Sequence, residues 1–96
     1  MHARSGTLYP RSDHFDHVLH LLRDTVTPAA QKEPGFNGML IMSNRQAGKV
    51  VAITLWESEA QMLASAEGEY LQDQVSRVIT HLRRPPEFEN YEIEVL

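Results

Sequence analysis

The segment that most restricts the fold of this chain is "KVVAITLW", residues 49–56. Read as a strand, it sends alternate side chains to opposite sides. Val50, Ala52, Thr54 and Trp56 form one face, and Val51, Ile53 and Leu55 form the other. Both faces are largely apolar, so both need cover. One layer of helices covers one face of a sheet, and a chain of 96 residues is one domain with one core. The second face therefore predicts a partner, and the most economical partner is a second copy of the chain.

The flanking segments supply the rest of the sheet. "FNGMLIMS" (36–43) reads as a strand, and the polar, glycine-containing "NRQAG" turns it back into 49–56 as a hairpin. Residues 2–9, "HARSGTLY", read as an extended strand diluted by Gly6. From Ser12, a candidate cap, Phe15, Val18, Leu19, Leu22 and Val26 recur at helical spacing. Pro28 should kink or interrupt that helix, because it lacks an amide hydrogen and crowds the preceding turn. Ser58, three residues before Gln61, has capping-box spacing and opens a helix that Gly68 loosens near Ala66. Leu71, Val75, Val78, Ile79 and Leu82 then form a second helical stripe, ended by "RRPPEF". In "FENYEIEVL" the alternation of Tyr91, Ile93 and Val95 with acidic and amide residues predicts a half-covered strand. The element order βαββαβ predicts an α+β, ferredoxin-like domain over 1–96, an antiparallel sheet with helices on one face.

Composition removes several function classes. There is no cysteine, which excludes disulfides, thiolate metal sites and thiol nucleophiles. Net charge is −4 without a basic stripe, so a nucleic-acid partner is not expected. The first ten residues lack an apolar signal core and no apolar run approaches membrane-spanning length, so the reading is cytoplasmic with no membrane partner.

The stretch "EPGFNGMLIMSNRQAGKVVAITLWESEAQMLAS" resembles the antibiotic biosynthesis monooxygenase family of dimeric α/β-barrel proteins. The resemblance lies in the PGF-x-G strand start, the glycine–lysine hairpin and an apolar strand ending in Trp-Glu-Ser. It implies a homodimer joined through its sheets, and in each subunit a pocket between sheet and helices lined by the tryptophan. Family members include cofactor-independent monooxygenases acting on polycyclic phenols or quinols, and haem-degrading enzymes. The fold alone does not choose among them.

On that footing Trp56 is the candidate wall of a site, since indole offers a flat apolar surface and one N–H donor. Arg4, Tyr9, Asn37, Thr54 and Tyr70 are its candidate polar companions. Phe36 is expected to point inward and Asn37 outward, because Phe36 is the larger apolar group. The haem-degrading branch would need an Asn on the first strand and a His on the helix after the tryptophan. Residues 1–9 contain no Asn, and no His occurs between Trp56 and Thr80. Haem is therefore not expected.

Nor is a metal: His14, His17 and His20 recur every three residues and lack the i,i+4 pair of a zinc-protease helix. Arg83 and Arg84 are read as meeting the negative end of a helix dipole. The expected function is a cofactor-free monooxygenase acting on a small phenolic, quinol or polycyclic aromatic. The alternative is a non-catalytic dimeric protein that binds a small ligand or serves as a scaffold. No catalytic residue is assigned.

Overall fold

The computed structural model describes residues 1–96. Four strands form one antiparallel sheet in the order β2-β3-β1-β4: β1 (His2–Leu8), β2 (Phe36–Asn44), β3 (Lys49–Trp56) and β4 (Glu87–Glu92). The helices are α1 (Phe15–Leu21), α2 (Thr27–Ala30), α3 (Glu59–Glu67) and α4 (Tyr70–Val78). This is the ferredoxin-like arrangement that the element order predicts.

The first helix shows how a proline is accommodated. A π-helical turn, Leu22–Val26, separates α1 from α2, and Pro28 lies just beyond it. The widened turn gives the Thr27 amide the Leu22 carbonyl as its acceptor, and the Thr27 hydroxyl donates to the same oxygen at 2.7 Å. Ser12, in contrast, caps nothing. It starts a short 3-10 turn, Ser12–His14, in which the His14 amide donates to the Arg11 carbonyl. Ser58 caps α3 as its spacing predicts, its Oγ accepting from the Gln61 amide at 3.2 Å. The Gln61 side chain then folds over Gly35 and fills the space a Cβ would need there, and the φ of 83° independently favours glycine.

The helix-facing side of the sheet holds the core, in which Leu8 and Val50 meet Phe15, Val18, Leu22 and Val78. The opposite side is bare. Leu40, Ile53, Leu55 and Tyr91 line a broad shallow depression there, with Leu40 and Tyr91 about half exposed. Strand β4 corrects one expectation. All six of its residues are exposed, because it is the edge strand of the sheet and only its Phe88 reaches the residues of α4. Its Tyr91 and the following Ile93, which lies past the end of the strand, face the bare side, while Phe88 takes the helix side.

Candidate functional site

Between the helices and the helix-facing side of the sheet lies a cavity of about 60 Å³. Leu8, Leu22, Val26 and Val78 supply much of its apolar lining. The polar atoms come from four places. Arg4 rises from the middle of β1, opposite Thr54 of β3 in the antiparallel register. Tyr70 starts α4, and Gln74 follows one turn later on the same helix.

Arg4 is the unusual member. It is 95% removed from solvent by its surroundings, with 5% exposed. A buried guanidinium normally has a carboxylate partner. Here Nη1 donates instead to the Met62 carbonyl at 3.1 Å and to Ser65 Oγ at 2.9 Å, both on α3. No Asp or Glu oxygen lies within ion-pairing distance of Arg4. Burial lowers its pKa from the usual arginine range, with Tyr70 and Glu33 opposing that effect. Arginine nevertheless stays protonated in a protein. The result is a desolvated positive charge beside a largely apolar cavity, satisfied only by neutral acceptors.

The other polar groups complement it. Burial raises the pKa of the Tyr70 phenol, with Arg4 pulling down and Glu33 pushing up, so the hydroxyl remains protonated at neutral pH and available as a donor. Gln74 is buried, and its Oε1 has no hydrogen-bond partner. A buried carbonyl oxygen left unpaired is costly, and a donor placed in the cavity would satisfy it. No carboxylate or imidazole lines the cavity. It therefore offers charge stabilisation and hydrogen bonds but no general base.

Trp56 departs from its expected role. It is fully enclosed and does not line the cavity. Its Nε1 donates to Thr54 Oγ1 at 2.9 Å, and the Arg4 guanidinium carbon lies 5.3 Å from its ring centre. Phe36, inward as expected, packs edge-on at 5.8 Å. Trp56 ends β3 one alternation beyond Thr54, so it shares the face of the cavity but lies past its end. It acts as a backing for Thr54 and Arg4, which are the groups that reach the cavity.

Two further expectations fall away. Asn37 is exposed at the β2 bulge, its side chain turned toward Met1 Sδ. Tyr9 follows the end of β1, donates to Glu87 Oε1 at 2.7 Å and lies 3.6 Å beneath the Arg84 guanidinium. Neither lines the cavity. Arg83 does not cap a helix but donates to the Gly48 carbonyl, while Arg45 pairs with Asp16, so the β2-β3 hairpin is pinned at two points.

His14 and His17 meet an unforeseen partner in His81, with Nδ1 of His14 and His81 2.9 Å apart. Desolvation, then His17 and His14, lower the His81 pKa. No group of three or more potential ligands is arranged to hold a metal ion.

No helix of the structure is long and apolar enough to cross a membrane. Over 67 residues the chain is 36% identical to the uncharacterized protein Rv2557 of Mycobacterium tuberculosis, a match covering 70% of this chain and 30% of that protein. The chain thus spans about a third of the length of the curated relatives it matches. Among solved structures, it superposes on Rv0793 from Mycobacterium tuberculosis with a TM-score of 0.76 at 18% identity, covering 99% of this chain and 96% of that one. It also superposes on a monooxygenase from the ActVA-Orf6 gene of Streptomyces coelicolor, solved with Nanaomycin D. There the TM-score is 0.83 at 15% identity, with coverage of 99% and 88%. Residues 1–77 match the domain described as antibiotic biosynthesis monooxygenase, and the chain belongs to that family.

Proposed function

We propose that the chain is a monooxygenase-like protein that takes a small phenol or quinol as its anion in the Arg4 cavity and needs no cofactor. The observation that carries this reading is the buried Arg4 charge without a carboxylate, placed beside an apolar cavity. Such a charge lowers the pKa of a bound phenol and stabilises the oxyanion. The absence of a lining base fits a substrate that arrives ionised or loses its proton to water. The ionised ring then supplies one electron to dioxygen. Collapse of the radical pair forms a carbon–oxygen bond. Loss of the ring proton with cleavage of the O–O bond releases water and leaves a quinone, so that a phenol plus O₂ gives a quinone plus H₂O. Tyr70 and Thr54 position the oxygens, while Gln74 accepts a substrate hydroxyl.

Size narrows the ligand. A cavity of about 150 Å³ is known to take benzene in another protein, and this one measures about 60 Å³. Even one ring requires movement of the walls, and a polycyclic ligand is disfavoured. That smallness is also what favours the second reading, a non-catalytic member that binds a small anion. Oxygen uptake with phenols and hydroquinones, with naphthols and anthrones as oversized controls, separates the two. Turnover above the uncatalysed rate, rising with pH along the ionisation of the substrate, is expected. Binding without uptake would leave only the second reading.

The bare sheet face favours a homodimer, because Leu40, Ile53, Leu55 and Tyr91 form a contiguous apolar patch opposite the helices. Ile53→Asp should convert a dimer into monomers, since a carboxylate would be buried at the centre of the joint at a cost of several kcal/mol. Light scattering checks this. A wild-type mass of one chain at micromolar concentration would refute it.

A further inference from the structure

On the side of α4 and β4 the cavity is bounded by residues that it shares with a neighbouring groove. Leu71, Val75 and Phe88 line the cavity from within and a shallow outer groove from without. Phe88 is the member of that boundary with the least holding it. It is 41% exposed, on an edge strand whose other residues are also exposed. Its ring leans across the strand pair onto Gly6, its register partner on β1. A Cβ at position 6 would fall 2.8 Å from Phe88 Cε1, so the ring occupies the space that a side chain at Gly6 would fill.

We propose that Phe88 is the size-determining gate of the Arg4 cavity: its ring closes the seat above Gly6 and must swing toward the outer groove to admit a ligand ring. Three observations meet in this residue. With the ring in place, the cavity is smaller than an aromatic ring requires. The Phe88 side chain is itself one aromatic ring, standing at the boundary of that cavity. Its outward path leads into an existing groove past Leu71 and Val75, not into packed core. With the ring displaced, a planar ligand gains the bare backbone at Gly6 as a floor and reaches Arg4 two residues along the same strand. A ring covering a strand glycine also supports the strand pair, but that support alone would leave uptake rates untouched.

The inference rests on the Arg4 ligand reading, and the test separates the two with one neutral and one anionic probe. Uptake of benzene is followed through the methyl resonances of the cavity-lining Leu22, Val26 and Val75. Uptake of 4-nitrophenolate is followed by its absorbance in stopped flow. Phe88→Ala is expected to speed uptake of both by about tenfold or more, and to admit 1-naphtholate where the wild type excludes it. Gly6→Ala should push the ring off its seat and speed benzene uptake, yet add little once Phe88 is already Ala. Equal uptake rates and size preference in wild type and Phe88→Ala would overturn the gate, while saturable 4-nitrophenolate binding would still uphold the Arg4 site. Benzene admitted quickly by Phe88→Ala with no 4-nitrophenolate binding would uphold the gate and sink the Arg4 reading. No uptake of either probe by any variant would overturn both.

Discussion

Replacing Arg4 with Met is expected to weaken binding of 4-nitrophenolate by about a hundredfold, which corresponds to about 2.7 kcal/mol, while leaving stability unchanged or slightly raised. The two effects diverge because the guanidinium is desolvated without a carboxylate. Removing an uncompensated buried charge in favour of an apolar group of similar length is often neutral or stabilising. Nothing is orphaned by the change. Ser65 Oγ already donates to the Met62 carbonyl at 2.6 Å, so both acceptors of Arg4 remain engaged after it is gone. Absorbance titration measures the affinity and urea denaturation the stability. An Arg4→Met protein that binds the anion as well as wild type would refute the ligand role. One that loses more than about 2 kcal/mol of stability would make Arg4 a structural tie between β1 and α3.

Trp56→Ala should cost about 3–5 kcal/mol, in the range of other large aromatic truncations in cores. The side chain is wholly enclosed, packs against Phe36, and supplies the hydrogen bond that fixes the Thr54 hydroxyl. Trp56→Phe keeps most of the volume but not the donor, and should lose far less, about 1–2 kcal/mol. Circular dichroism during urea denaturation reports both. A loss below about 1 kcal/mol for Trp56→Ala would mean that the end of β3 relaxes into the gap.

The site was legible in the sequence to the extent that strand parity and helix starts define it. Arg4 and Thr54, named as companions of Trp56, line the cavity because alternation puts both on the helix-facing side of their strands, and Tyr70 does so from the start of an apolar helical stripe. Parity gives the side of a sheet but not the position along it. Trp56 therefore looked like a wall when it stands one alternation too far. Asn37 points outward as the size of Phe36 predicts, which is the reason it is no companion of the site. Gln74 does carry a signal: it lies three residues after Leu71 and four before Val78, so a polar side chain sits on the apolar stripe. Phe88 was hidden because it shares the parity of Asn90, Glu92 and Glu94, the face that alternation marks as polar. The element order, the hairpin and the Ser58 cap follow from spacing and turn chemistry alone, and these are local. The clustering of His81 with His14 and His17 is not, because it depends on how the end of α4 meets the start of α1.

One consequence of the Arg4–Trp56 contact is optical. The chain has a single tryptophan, shut away from water, with a fixed positive charge 5.3 Å from its ring. Indole emission depends on the local field, and a nearby charge in a weakly screening interior acts on it strongly. An anion arriving at Arg4 would partly cancel that field. The emission colour of the native protein thus serves as a built-in gauge of whether the guanidinium is alone or accompanied.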